Sequence, residues 1–313
     1  MKYFIKRAGF MALTLFAVCA LTFFLMNVIP GGTANLVLKH TFVGLEESVT
    51  EEQLNQISDR YDLDDPLYLQ FFRWIKEAVL KGDIGTSYVF KKPVLYLLAL
   101  RLPATIQLAV VSMLIAILAG VSLGIYSALR ENKISDHILR IVTLFGVSMP
   151  GFWVALLLIL IFSLKLKLVP VTGYGSLENL LLPAAALSLH SIAAVMRVTR
   201  TSMLETLGQE YIRFAKAKGL PLWKIVSRHA LKNAMLPVIS VIGFQMGSLL
   251  GGAVVIEKIF AWPGIGSLLV DSISARDLPV VQGCVLAIVM MFLFVHFFVD
   301  MLYTHLDPRI RYG

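Results

Sequence analysis

Six long stretches without any Asp, Glu, Lys or Arg constrain the fold of this chain more than any other feature. They contain 18 to 30 residues each and cover 9–38, 102–129, 141–164, 179–196, 233–256 and 278–299. About 20 apolar residues cross a bilayer as a helix, and a helix satisfies its own backbone hydrogen bonds where water is absent. The sequence therefore predicts an all-α integral membrane protein with six transmembrane helices. Pro150 interrupts the third stretch, where one kinked helix and two separate pieces both remain open.

The composition excludes a soluble protein. Of the 313 residues, 58% are hydrophobic and 15% are charged, whereas soluble domains carry roughly 25% charged residues. Cys19 and Cys284 both lie inside apolar stretches, so we expect neither a disulfide framework nor a thiolate metal site. The first stretch is too long for the core of a signal peptide, and we interpret it as a retained anchor.

The distribution of charge predicts the orientation in the membrane. With the N-terminus placed inside, the segments 1–8, 130–140, 197–232 and 301–313 hold 16 of the 28 Lys and Arg residues and five acids. The net charge of +8 then divides into +11 inside, −2 outside and −1 for Asp300. Because basic residues concentrate in cytoplasmic segments, we expect a multi-pass membrane protein with both termini in the cytoplasm.

Three regions follow from this topology. They are an N-terminal anchor helix (1–38), an extracytoplasmic loop region (39–101) and a five-helix core (102–313). Within the outer loop, 51–61 and 66–79 are amphipathic at helical spacing, which predicts a small helical cap. The basic inner loop 197–232 has a helical pattern that Gly219 and Pro221 interrupt.

No catalytic motif occurs in the sequence. There is no Gly-Lys dipeptide for a phosphate-binding loop, no His-Glu-x-x-His and no paired-cysteine metal spacing. We therefore expect a conduit or a receptor rather than an enzyme, with no catalytic residue and no cofactor of its own. A membrane-embedded enzyme or sensor is the distant alternative. An enzyme of that kind would bring several polar catalytic groups to one depth in the membrane, whereas the polar residues of the apolar stretches here are scattered singly.

The inner loop carries the most informative motif. Residues 211–220 read Tyr-Ile-Arg-Phe-Ala-Lys-Ala-Lys-Gly-Leu, and 228–234 read Arg-His-Ala-Leu-Lys-Asn-Ala. A short helix ended by Gly219 is equally suited to lie on anionic lipid headgroups and to dock on a partner.

These residues resemble the coupling motif of the membrane permeases of ABC importers. The resemblance is to the dipeptide/oligopeptide/nickel group, and within it to the first of two paired permeases. The general motif has Glu-Ala-Ala where this chain has Arg213, Phe214 and Ala215, a departure that this group shares. Further stretches similar to the group are 29–32, 65–70, 82–87, 101–105, 148–153, 260–266, 276–277 and 306–311.

The resemblance implies a type I ABC importer permease fold and four kinds of partner. These are a second homologous permease forming a heterodimer, two ATPase subunits that carry ATP and Mg, an extracytoplasmic solute-binding protein and the lipid bilayer. No nucleic-acid partner is implied, and the location implied is a prokaryotic cytoplasmic (inner) membrane. The segment expected to couple to the ATPase consists of Arg213, Phe214, Ala215, Lys216, Ala217, Lys218, Gly219 and Leu220. Ala215 and Gly219 are expected to approach the ATPase most closely, because small residues permit close contact.

Other candidate residues lie in the apolar stretches. Candidates for the translocation path are Met149, Gln245, Met246, His296 and Asp300, since polar groups at membrane depth are functional candidates. Structural roles remain open for His296 and Asp300, and plain packing for the methionines. His190 is interpreted as an interhelical hydrogen-bonding residue rather than a metal ligand. Gly243, Gly247 and Gly251 share one helix face and are expected to permit close helix packing, within the chain or against a second permease.

Two questions stay open at this level. The first concerns an external segment made of Trp262, Pro263 and Gly264. The resemblance implies that this segment is an external gate or a contact with the binding protein, whereas Trp262 is equally suited to be an aromatic anchor at the membrane interface. The cargo that the resemblance implies is nickel or a nickel chelate, a di- or oligopeptide, or another metallophore. Residues 148–150 and 260–262 favour nickel slightly, although no His/Cys cluster forms an obvious metal site.

Overall fold

The computed structural model describes residues 2–28 and 65–306. The predicted helix 51–61, the motif 29–32 and all of the motif 306–311 after its first residue lie outside these residues. The helices are α1 (Lys2–Val28), α2 (Leu67–Lys81), α3 (Val94–Leu129), α4 (Ile134–Ser148), α5 (Gly151–Lys165), α6 (Leu177–Leu207), α7 (Glu210–Ala217), α8 (Leu222–Ile259), α9 (Ile265–Ser274) and α10 (Leu278–Leu306). Short π-helical segments lie within α5 (Ile159–Lys165) and α8 (Ile225–Ala230).

The predicted all-α membrane fold is confirmed. Helices α3, α6, α8 and α10 are each long and apolar enough to cross a membrane, and the bent α4–α5 pair is so only when its two helices are taken together. Helix α1 contributes a shorter apolar segment, Gly9–Leu25. Apart from Met149 and Pro150, the described part of every charge-free stretch lies in a helix. Among the described residues the only β-type pairing is an isolated bridge between Thr86 and Pro93.

The third stretch is two pieces rather than one kinked helix. Helix α4 ends at Ser148, Pro150 precedes α5, and the two axes meet at 108°. Pro150 has no amide hydrogen to continue the ladder, and its ring restricts the preceding residue to extended geometry. Met149 adopts that geometry, with φ −80° and ψ 132°.

The chain divides into two compact units. The first consists of Met1–Pro103 and Gly264–Leu293. In it, the predicted outer-loop helix exists as α2, and Phe71 is buried beside Cys19 and Phe23 of α1. A second cluster joins the start of α3 to α9 and to the first half of α10 through Val94, Ile265 and Cys284.

The second unit consists of Ala104–Pro263 and Phe294–Gly313. Its main core lies among α3, α5, α6 and α8, where Leu108, Ala155, Ala184 and Ala253 are buried. A separate cluster surrounds the inner loop and is described with that loop below. The division of the sequence into 1–38, 39–101 and 102–313 stays a prediction.

Candidate coupling surface and translocation path

The inner loop folds as a short helix followed by a tight turn. Helix α7 spans Glu210–Ala217, and its end is closed by hydrogen bonds from the Gly219 amide to Lys216 O (3.0 Å) and from the Leu220 amide to Ala215 O (3.3 Å). Gly219 has φ +75°, which side chains other than Gly, Asn and Asp rarely adopt. A Cβ added there would meet nothing within 4 Å. The turn therefore needs glycine for its backbone conformation and not for space.

One face of α7 packs against the chain itself. Ile212 and Ala215 are buried in a cluster with Met203 of α6 and with Ile225 and Ala230 of α8. Ala215, which the sequence placed closest to an ATPase, is covered by this cluster in the isolated chain. Because α7 rests on both neighbouring helices, a displacement of α7 must move the ends of α6 and α8 as well.

The opposite face of α7 and the start of α8 are exposed and mix aromatic with basic side chains. Phe214 is 65% exposed and Trp223 is 70% exposed. The Lys218 ammonium lies 4.9 Å from the centre of the Phe214 ring. Other exposed members of the predicted coupling segment are Arg213, Lys216, Ala217 and Gly219. Leu220 is half-buried. Exposed aromatic rings among cations are typical of an interaction surface.

A buried ion pair fixes the end of α6 that leads into α7. Asp136 of α4 is fully buried, and Arg200 of α6 donates to both of its carboxylate oxygens at 2.8 and 2.7 Å. The Ser127 hydroxyl of α3 and the Asn132 amide also donate to Asp136. Asp136 precedes the stretch 141–164 and Arg200 follows the stretch 179–196, so both lie outside the apolar spans. The Arg200 guanidinium holds the pKa of the Asp136 carboxyl well below its usual range, against the opposing effect of burial.

The broken span borders a cavity of about 280 Å³ in the second unit. Met149 lines this cavity, together with residues of α5, α6 and α8. Gln245 is buried beside it and donates to Ser191 Oγ at 3.3 Å. Of the predicted path residues, the structure therefore places Met149 in the cavity wall and Gln245 against a wall residue, Ser191.

The other predicted path residues lie elsewhere. Met246 packs on the main core of the second unit, and His296 is half-buried on α10. The side chain of Asp300 lies outside the described residues. His190, interpreted from sequence as an interhelical residue, is instead exposed and lines the cavity. His190 and the α4–α5 break lie about 40 residues apart in the sequence and line one cavity in the fold. No local sequence pattern shows this proximity.

Trp262 is a core residue in this structure. Its indole Nε1 donates to Ala104 O at 2.9 Å, and its ring meets Tyr174 edge-on with centres 4.9 Å apart. Trp262 is 1% exposed and Pro263 is half-buried. Gly264, which belongs to the first unit, is buried before α9. In this conformation the Trp262 ring presents almost no surface to lipid or to a protein partner.

Several sequence motifs that looked separate contact one another. In the second unit, Thr105 of the motif 101–105 donates to Glu257 at 2.7 Å, one turn before the motif 260–266. In the first unit, Asp277 accepts hydrogen bonds from the Ser87 hydroxyl and from the Tyr88 and Val89 amides. Both acids are fully buried. In both cases a buried acid accepts hydrogen bonds from a segment that is more than 150 residues away in the sequence.

Some glycines of the apolar stretches permit close contacts within the second unit. A Cβ on Gly243 would lie 2.2 Å from Val299 Cγ1, and one on Gly124 would lie 2.6 Å from Thr199 Cβ. Gly247 is buried, whereas Gly251 is exposed with nothing within 4 Å of an added Cβ. Intrachain packing therefore accounts for Gly243, and Gly251 faces open space in the isolated chain.

A metal site has no support in the described part of the chain. Residues 2–28 and 65–306 contain no group of three or more His, Cys, Asp or Glu side chains that could hold a metal ion.

The fold is that of a type I ABC importer permease. The chain is similar to a chain of the MetNI methionine ABC transporter in an inward-facing crystal form, with TM-score 0.57 and 15% identity over 68% of this chain and 97% of that one. At this identity the likeness concerns the fold alone. A second crystal form gives TM-score 0.54 at 16% identity.

Sequence comparison defines the family. Residues 120–312 match the family described as "binding-protein-dependent transport system inner membrane component", and residues 1–109 match its N-terminal family. The chain is 38% identical over 312 residues to the glutathione transport system permease protein GsiC of Escherichia coli K12, covering 100% of this chain and 99% of GsiC. It is 37% identical over 337 residues to the probable D,D-dipeptide transport system permease protein DdpB of the same strain, covering 98% and 97%. The chain belongs to the binding-protein-dependent transport permeases, the non-catalytic membrane subunits of ABC importers.

Proposed function

We propose that this chain forms half of the translocation path of an ATP-driven importer of short peptides. The observation that supports this cargo is the 38% identity, over the whole chain, to a permease named for glutathione transport. DdpB, which is named for a D,D-dipeptide, supports the same cargo class. The sequence slightly favoured nickel as the cargo. Neither of these relatives is named for a metal, so we propose the peptide alternative instead.

The proposed assembly contains a second permease, two ATPase subunits and an extracytoplasmic solute-binding protein. The family description names dependence on a binding protein. We place both termini in the cytoplasm, because the inner segments then carry a net charge of +11 and the outer ones −2. ATP and Mg belong to the ATPase subunits in this scheme, and this chain supplies no catalytic group.

The exposed face around Phe214 is the proposed contact with an ATPase. A partly exposed aromatic ring that enters a partner's groove is a common energetic anchor, and the surrounding Arg213, Lys216 and Lys218 would face acidic groups. The buried face of α7 and the Asp136–Arg200 pair hold the loop rigidly against α6 and α8. Movement of the ATPase would therefore pass to the membrane helices as a rigid-body displacement.

Uptake measurements test the cargo. A strain lacking its own peptide and nickel importers, and supplied with all subunits of this system, is given radiolabelled glutathione, dialanine or ⁶³Ni²⁺. We expect ATP-dependent uptake of at least one peptide and none of nickel. Uptake of nickel alone would overturn the proposed cargo and leave the family assignment intact.

Truncation of Phe214 tests the docking surface. Loss of an anchor worth 2 kcal/mol or more weakens binding by about 30-fold or more, so Phe214→Ala should retain little ATPase when the permease is purified in mild detergent. Phe72→Ala is the matched control, since Phe72 is 57% exposed on α2, outside the inner loop. Equal ATPase recovery with both variants would contradict the assignment of this face.

A further inference from the structure

The cavity at the helix break has the make-up of a small ligand site. It measures about 280 Å³ and lies between the α4–α5 break and the facing segments of α6 and α8. Most of its wall is apolar, including Met149 and Phe152, while three polar side chains, His190, Ser191 and Ser248, also line it. An apolar wall with a few polar groups is typical of sites for small organic molecules.

The position of the cavity supports a role in transport. It lies where α4 and α5 meet at 108°, so the backbone of a membrane-spanning segment is interrupted beside it. Irregular backbone at membrane depth occurs where it is buried in protein or lines a polar cavity, and discontinuous helices form the substrate sites of many transporters. Gly151 starts α5 at this point, and a Cβ there would meet nothing within 4 Å, so the wall beside the break is open.

The polar groups of the cavity can all donate a hydrogen bond. His190 is exposed, and an imidazole carries an N–H donor in its neutral form and two in its charged form. Ser191 Oγ accepts a hydrogen bond from Gln245 Nε2 at 3.3 Å, which leaves the Ser191 hydroxyl hydrogen to donate elsewhere. Ser248 adds a second hydroxyl.

The lining suits the carboxylate end of a peptide better than its ammonium end. None of the cavity-lining residues, all of which the structure describes, is acidic, so the wall offers an ammonium group no counter-charge. Three side chains of the wall can donate hydrogen bonds to a carboxylate, and no acid is present to repel it.

We propose that this cavity is a cargo site of the permease and that His190, Ser191 and Ser248 bind the C-terminal carboxylate of a short peptide. The inference rests on the peptide cargo proposed above. Met149 and Phe152 contact the hydrocarbon part of the peptide, and Gln245 acts as a positioning residue that orients Ser191. Because one imidazole and two hydroxyls bind only one end of the cargo, the contact is weak enough for release.

A charge series at position 190 tests the site. The complete complex, with its binding protein at saturating concentration, is reconstituted in proteoliposomes and supplied with radiolabelled glutathione and dialanine. A hydrogen bond to a charged group is worth enough to change a rate about tenfold. We expect His190→Ala to lower the maximal uptake rate about tenfold, His190→Asp to lower it further through repulsion, and His190→Lys to retain most of it. A purely structural role for His190 would not rank Lys above Ala and Asp.

Two controls separate binding from assembly. Leu181 lies on α6, is exposed and does not line the cavity, so Leu181→Lys and Leu181→Asp report the cost of a charge on this helix. Copurification of the ATPase subunits measures assembly of each variant. Where a His190 variant does not assemble, Ser248→Ala carries the test, with an expected loss of several-fold in uptake.

The outcomes distinguish this inference from the proposed function. If the wild-type complex takes up neither peptide, the peptide cargo is wrong and the carboxylate site falls with it. If the wild-type complex takes up peptide, and assembled Ala, Asp and Lys variants of His190 all fall within twofold of one another, the carboxylate site alone is overturned.

Discussion

Loss of the Arg200 guanidinium should destabilise the second unit more than any other single charge removal near the inner loop. Asp136 is fully buried, and Arg200 supplies two of its hydrogen bonds, at 2.8 and 2.7 Å. Breaking a buried pair by removing one partner costs about 3–5 kcal/mol, because an uncompensated charge stays behind. Arg200→Gln should therefore lower the stability by about this amount.

The companion variants separate charge from geometry. Arg200→Lys keeps the charge but loses the planar two-point contact, so its loss should be intermediate. Asp136→Asn combined with Arg200→Gln removes both charges and should recover part of the stability lost by Arg200→Gln alone. Arg197→Gln is the matched control, since Arg197 is exposed on the same helix one turn earlier and does not contact Asp136.

Thermal unfolding of the detergent-solubilised complex is the assay. A loss of 1 kcal/mol lowers Tm by about 2–4 °C in domains of 150–250 residues, so Arg200→Gln should lower it by on the order of 10 °C. A Tm as high as that of Arg197→Gln would refute the reasoning. The single variant Asp136→Asn completes the cycle. A double variant whose loss equals the sum of the losses of Asp136→Asn and Arg200→Gln would also refute the reasoning, because such additivity means that the two groups do not interact.

Two further substitutions test the backbone and the packing. Gly219→Ala should cost about 1–2 kcal/mol, because alanine is strained in the left-handed region, and it should lower the amount of peptide transported per ATP hydrolysed. Asparagine tolerates that region, so Gly219→Asn should stay near wild type. Equal coupling in the two variants would contradict the role of the turn at Gly219. Gly124→Ala should lower the Tm of the complex by several degrees, because overpacking costs about 1–3 kcal/mol and the new Cβ would lie 2.6 Å from Thr199 Cβ. Gly251→Ala, with open space around its Cβ, should leave Tm unchanged.

Local patterns predicted the elements well. The charge-free stretches identify the membrane helices because a single Lys or Asp at membrane depth is costly enough to be rare. The spacing of apolar residues in 66–79 predicted α2, and Pro150 predicted an interruption because the missing amide acts locally. Each of these features is decided within about ten residues of the chain.

The faces of the helices could not be predicted in the same way. Where nearly every side chain is apolar, periodicity does not show which face meets protein, lipid or a cavity. For that reason Trp262 was placed at a surface and lies in a core, and His190 was placed between helices and lines a cavity. Ala215 differs, because it lies on the short polar helix α7, where it is buried on the same face as Ile212. The partners of Asp277 and Glu257 lie far away in sequence, and no local pattern contains them.

The hydrogen bonds between Asp277 and the loop after α2 can form only late in synthesis. Ser87 donates to Asp277, which follows it by 190 residues. A ribosome adds about 5–20 residues per second, so the segment around Ser87 waits roughly ten to forty seconds before its acceptor exists. During that interval the Tyr88 and Val89 amides, which Asp277 later accepts, stay without this acceptor. The first unit begins the chain, but these hydrogen bonds of its loop form only after most of the chain has been synthesised.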